Sequence, residues 1–337
     1  VGTPVGLDTS SGPEPGVRDP AGPSPRRPGA RRRAPLLGMR GRRALLPWVL
    51  LTPALGVIGL LLLFPLGRIV WLSFREYRLR DLVSGESDFV GLANYATLLT
   101  DPYLWRVALL NTVLFAAVAV LTTIVVGTLA ALLLAALRPA ARVFVVSCVM
   151  VAWAMPAVSG TYVWIWIFDV DNGVVAQALT SLGLLDPSGY NWFADRLAFY
   201  AIVTLNVVHG GFPFVAVTVL AGLLTVPREL HEAARIDGAG AWKRFWHVTF
   251  PVLRPVFAVV TVLSTIWDFK VFAQIYLMPG GDVGGSRMLN LGVWSYVRSF
   301  GHNDYGLGAA IAVLLTLLLL VITVFYLRAL FREDGLR

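Results

Sequence analysis

The chain has 337 residues, 57% hydrophobic and 14% charged, with a formal net charge of +8 and a mean hydropathy of +0.70. Soluble domains sit near half apolar and a quarter charged, so this balance excludes an ordinary soluble protein and indicates an integral membrane one. The single cysteine, Cys148, excludes an internal disulfide, and no Cys/His spacing suggests a zinc site.

Residues 1–43 are rich in Pro, Gly and Arg and are expected to form a disordered cytoplasmic tail, since residues 1–38 cannot bury enough surface to offset chain entropy. Met39 opens a stretch with the character of a chain start. The apolar region that follows is too long for a cleaved signal peptide. The arginine cluster stands beside a span, so membrane lipids are the simpler partner and no nucleic-acid partner is expected.

From 44 to 330 the sequence predicts a six-span transmembrane domain, followed by a short cytoplasmic C-terminus at 331–337. A helix needs about 20 apolar residues to cross the hydrocarbon layer. Six runs qualify, at 45–67, 107–137, 143–168, 197–225, 256–278 and 307–327. Unpaired backbone in lipid is costly enough that these runs must be helical. Basic residues gather at Arg40, Arg42 and Arg43, in the 138–142 turn, in the 226–255 loop and in the C-terminal tail. That bias predicts that both termini and the loop are cytoplasmic. The 168–196 segment, which carries Asp169, Asp171 and Asp195, is then external.

Within the second span Asn111 carries no decisive signal. Trp164, Trp166 and Trp192, near the expected outer edge, suit interfacial anchoring. His209-Gly210-Gly211-Phe212-Pro213 predicts a kink in the fourth span, because Pro213 removes one backbone bond. His209 is expected to be a packing residue more than a ligand, with Asn206 one turn earlier on the same face. Asp268 falls near mid-membrane in the fifth span, where acidic groups face a bundle interior or a water cavity. Two readings stand for it: a structural pair with another span, or a polar lining for a passing solute. Lys270, two residues on, points away from it. Asn206, His209, Gly211, Asp268 and Lys270 are the candidate pathway residues.

The 226–255 loop reads as two short helices joined by a glycine turn. Pro227 suits a first helical turn, and Arg228, Glu232 and Arg235 share a face. Gly238 is placed to adopt a left-handed C-cap. Trp242, Phe245, Trp246 and Thr249 recur at helical spacing, with Pro251 and Pro255 closing the second piece before the fifth span. An interfacial amphipathic helix explains the tryptophans. It does not explain Glu232-Ala233-Ala234 or the paired glycines, which have the character of a docking knob.

Glu232-Ala233-Ala234, then Gly238, then Val248 to Pro251 resemble the cytoplasmic loop of permease subunits in binding-protein-dependent ATP-binding-cassette importers. Phe212-Pro213-Phe214, Leu220-Ala221-Gly222-Leu223, Asp268 to Phe272, Met278-Pro279-Gly280-Gly281 and Tyr305-Gly306 are similar to further signatures of the carbohydrate-uptake group, with Met278 and Asp282 as departures. The resemblance spans roughly 45–330. It implies an all-α type I importer permease fold, with six transmembrane helices and a coupling-helix loop in which Glu232, Ala233, Ala234, Asp237, Gly238 and Pro251 meet an ATPase. It further implies a bacterial plasma-membrane location, a second homologous permease, two cytoplasmic ATP-binding subunits and an extracellular solute-binding protein. The chain has no phosphate-cradling Gly-rich Lys loop, so ATP and Mg belong to the partner subunits and no cofactor or enzymatic activity is expected here. A sugar or oligosaccharide is the implied solute. The alternative is a stand-alone secondary transporter or channel. An enzyme is disfavoured, because the scattered histidines form no catalytic constellation.

Overall fold

The structure is a computed structural model that describes residues 37–184, 191–279 and 287–334, with side chains described from Pro47 to Arg328 within those ranges. Most of the expected N-terminal tail, Gly280, Gly281 and Asp282, and residues 335–337 lie outside the described residues. Contacts divide the chain into two units, Val1–Ile58 and Gly59–Arg337. In the first, the described residues form helix α1 (Leu37–Ile58).

The second unit continues with a π-helical turn and α2 (Phe64–Ser73), followed by β1 (Arg75–Glu76), α3 (Leu79–Ser84), β2 (Asp88–Phe89) and α4 (Ala93–Thr100). The two-residue strands pair antiparallel, with Arg75 opposite Phe89, a small addition to an otherwise helical chain. The long helix α5 (Leu109–Ala136) is followed by α6 (Pro139–Trp153), α7 (Ala157–Ile167) and α8 (Val174–Ser181). Next come α9 (Arg196–Leu223), α10 (Arg228–Ile236), α11 (Ala241–Arg244), α12 (Phe250–Phe269) and α13 (Ala273–Leu277). The described chain ends with α14 (Leu291–Tyr296) and α15 (Tyr305–Asp334).

Five helical stretches are long and apolar enough to cross a membrane: Pro47–Ser73, Leu104–Ala136, Arg196–Leu223, Ala241–Leu277 and Tyr305–Arg328. The third expected span, at 143–168, is not one rod. α6 and α7 meet at a 92° bend beside Pro156, which takes φ −59° and ψ 136° ahead of α7. A proline pushes the preceding residue out of helical conformation, so the apolar run at 143–168 supplies two half-length helices. Hydropathy reports the run's length and cannot see this corner.

The fourth span stays helical through its expected kink site. α9 runs without interruption from Arg196 to Leu223 with Pro213 inside it. Its glycine serves packing: a Cβ at Gly211 would stand 3.1 Å from Thr123 Cγ2 of α5. Across the same contact, a Cβ at Gly127 of α5 would stand 2.5 Å from Val215 Cβ of α9. Small residues let two membrane helices approach closely and gain dispersion contacts, and Ala116, Ala119 and Ala131 are buried on α5.

Two apolar cores result. One gathers Phe115, Phe199, Ile202 and Ile275 with Leu289, Leu291 and Ile311; the other gathers Leu134, Val215, Val219, Leu253 and Val260 toward α10. The first is threaded by the non-helical stretch at 287–290. Buried non-helical backbone needs donors and acceptors from its surroundings, and side chains supply them. Asn111 Nδ2 donates to the carbonyls of Arg287 at 3.0 Å and Leu289 at 2.9 Å. Tyr200 Oη donates to Met288 O at 2.8 Å, and Thr112 Oγ1 accepts from Leu291 N–H at 2.9 Å. Asn111 Oδ1 also accepts from the Arg196 guanidinium. Sequence reasoning passed over Asn111 because its partners lie far along the chain.

Candidate functional site

Two regions hold the residues singled out from the sequence. The first is the α10–α11 surface. α10 begins after Pro227, which sits at the N-cap with ψ 135°, one position earlier than expected. It ends in a Schellman turn: Gly238 N–H donates to Arg235 O at 3.0 Å and Ala239 N–H to Ala234 O at 2.9 Å. Gly238 has φ +76°, a conformation costly to residues with a Cβ. Nothing lies within 4 Å of a Cβ built there, so its constraint is conformational and not steric. Arg244 Nη1 donates to Ala239 O at 2.8 Å and closes the turn from the next helix.

Glu232, Ala233, Asp237 and Gly238 are exposed and Ala234 is half-buried. Among the described residues Glu232 makes no ion pair, so its sharing a face with Arg228 and Arg235 does not tie it up. Ile236 is 87% and Trp242 73% exposed, too much apolar surface to leave in water without a covering partner or lipid. Trp242, Trp246, Phe250 and Phe257 form a ladder of ring contacts at 5.7, 5.1 and 5.2 Å between successive centroids.

Pro251 does not close the second piece. α11 passes through a π-helical turn, Phe245–Thr249, directly into α12, where half-buried Pro251 occupies the first turn and Pro255 lies inside the helix. Phe250 N–H donates to Phe245 O. This i→i+5 bond shifts the ladder by one residue just before the proline that could not have joined it. α11 and the fifth span are one continuous helix, which starts just after the turn that ends α10.

The second region is a cavity of about 430 Å³ between the α6–α7 corner, α9 and the end of α12. It brings together Asn206, His209, Gly211 and Asp268 from the predicted set, with Trp153, Trp164, Trp267 and Gln274. Lys270 is not on its lining and is exposed at the end of α12. His209 is exposed, with its ring 6.0 Å from Trp164, so it lines open space and is not the buried packing residue expected. Trp164 faces the cavity and stacks on Phe168 at 5.9 Å, which corrects its assignment as an outer anchor. Asp268 is 7% exposed, and its Oδ2 has no hydrogen-bond partner among the described residues. Among the described residues it has no ion pair with another span. The lining from α6 and α7 escaped sequence reasoning, although Pro156 was its visible signal.

Residues 123–333 match the family described as binding-protein-dependent transport system inner membrane component. The chain is 40% identical over 292 residues to the diacetylchitobiose uptake system permease protein DasB of Streptomyces coelicolor, covering 86% of this chain and 88% of that protein. It is 33% identical over 300 residues to the trehalose/maltose transport system permease protein MalF of Thermococcus litoralis, covering 88% and 97%. Among solved structures, a bacterial ABC transporter involved in import of the acidic polysaccharide alginate superposes with a TM-score of 0.73 at 20% identity, over 88% of this chain and 99% of that one. At that identity the likeness speaks for the fold.

Proposed function

The chain belongs to the binding-protein-dependent transport system inner membrane components, and from that premise we propose that it forms half of a sugar pathway driven by separate ATPase subunits. It is a multi-pass permease of an ABC importer. In the proposed assembly it pairs with a second, related permease, and two cytoplasmic subunits hold ATP and Mg. An external solute-binding protein delivers the sugar. Both termini and the α10–α11 surface face the cytoplasm.

Glu232, Ala233, Ala234, Asp237 and Gly238 form the contact with the ATPase, while Pro251 sits where that contact enters the span. Asn206, His209, Gly211 and Asp268 line the route of the solute. The observation that carries this reading is the unbroken helix from Ala241 to Phe269, through α11, the π turn and α12. It starts at the turn that ends α10, to which Arg244 is tied through Ala239 O, and runs to the wall of a polar and aromatic cavity. Movement imposed at one end must displace the other, because a packed helix transmits strain instead of absorbing it. Aromatic faces with hydrogen-bonding groups suit a saccharide, whose rings stack and whose hydroxyls need acceptors. The permeases of diacetylchitobiose and of trehalose/maltose uptake support that solute class.

The test is to purify the native complex, reconstitute it in liposomes with its binding protein, and follow radiolabelled disaccharide uptake with internal ATP. ATP-dependent uptake that Glu232→Lys abolishes is expected. Uptake by this chain alone, driven by an ion gradient, would overturn the assignment.

A further inference from the structure

Asp268 stands out in the cavity for what it lacks. Among the described residues of the lining it is the sole carboxylate, and no Lys, Arg or Glu accompanies it. His209 is the other titratable side chain there. Lys270, the nearest cation along the chain, lies outside the lining. The Asp268 side chain is 93% withdrawn from solvent, since its exposure is 7%, and Oδ2 is buried without a donor. A buried acceptor normally has a partner, because leaving one unpaired forfeits its hydration with no return. The exceptions call for an explanation. Asp268 lines a cavity of about 430 Å³ beside Trp153, Trp164 and Trp267, although Oδ2 itself is closed off behind that wall. A guest reaches that oxygen only when the Asp268 side chain turns toward the cavity.

Resting on the reading of this cavity as the solute route, we infer that Asp268 sets solute charge: it admits sugars that bring hydroxyl or ammonium donors and rejects sugars that bring a carboxylate. A hydroxyl-rich or amino sugar supplies the missing donor. A uronate places a second acceptor against the first, with no lining cation to offset the repulsion, and like charges brought together in a poorly solvated space repel strongly. The aromatic rings hold either ring system equally well, so discrimination falls to this one group.

The experiment uses the whole permease–ATPase complex in nanodiscs, without its binding protein, so that the binding protein's own selectivity does not enter. Cellobiose, chitobiose and cellobiouronic acid are offered in turn at neutral pH, and binding is read by saturation-transfer NMR with competition. The wild type is expected to bind chitobiose and cellobiose at least tenfold more tightly than the uronate. Asp268→Asn brings the three within threefold of one another, whereas Asp268→Glu keeps the preference. Equal preference in the wild type and Asp268→Asn would overturn the role of Asp268. Asn206→Trp, which fills the cavity, separates the two ideas. If it abolishes all binding while preference ignores Asp268, the cavity reading survives and the charge filter does not. If binding persists despite it, or the wild type binds none of the three sugars, both fall.

Discussion

Gly238 and Gly127 are both glycines whose replacement the fold resists, yet for opposite reasons. Gly238 has open space around it and a positive φ of 76°. Gly127 has ordinary helical backbone, and any Cβ there meets Val215 at 2.5 Å. The α10–α11 surface is thus defined by local backbone conformation and is otherwise unpartnered. The bundle behind the cavity is defined by contacts between elements far apart in sequence. A docking surface can be written in a short motif, but a cavity wall cannot.

Substitutions can break or sharpen that contrast. Gly127→Ala should have the largest effect, about 1–3 kcal/mol of destabilisation from overpacking. It should appear as a lowered midpoint in thermal inactivation of the purified complex. Val215→Gly on the same chain removes the clashing Cβ that Val215→Ala would keep, so only the former should restore part of the loss, and equal effects of the two would refute close α5–α9 contact as the cause. Asn111→Ala comes next: it strands the carbonyls of Arg287 and Leu289, at about 1–3 kcal/mol for a buried unsatisfied group. The same thermal assay reports it.

Gly238→Val acts differently, through a left-handed conformation that costs an L-residue about 1–2 kcal/mol. Substrate-stimulated ATPase should fall roughly tenfold, as about 1.4 kcal/mol implies, with thermal stability of the bundle unchanged. Gly238→Asn should retain most activity, since Asn tolerates that conformation. Lys270→Ala should do least. Its side chain is exposed and lies off the cavity, so stability should change by less than about 0.5 kcal/mol and uptake by less than twofold.

The same contrast governs what could be read from residues alone. Glu232 to Gly238 was legible because a helix, its C-cap and its exposed charges are all settled within a few positions. The helical class and most spans followed from apolar run lengths. The corner between α6 and α7 did not, because hydropathy is blind to direction, although Pro156 was in plain view. Pro251 misled for a related reason: a proline ends an ordinary helix, but a π turn immediately before it lets the helix continue. Gly211 was expected on the solute route, and its close approach to Thr123 of α5 could not be seen from its neighbours in sequence. Asn111 gave no signal because its meaning lies in carbonyls 176 and 178 positions away. Asp268 was expected to face a cavity or a bundle interior and lines a cavity, while the lack of a companion charge among the described lining residues needed the assembled walls.

The helix that joins α11 to α12 spans 29 residues from Ala241 to Phe269, about 40 Å at 1.5 Å per residue. A beam of that length has no break in its helical backbone, and its π turn fixes a rotational offset between its two ends. Winding Phe245–Thr249 as ordinary α-helix at the same length would leave both ends intact and turn one against the other by about one residue's rotation, roughly 100°. The aromatic ladder would then face a different neighbour from the one Asp268 was set to serve.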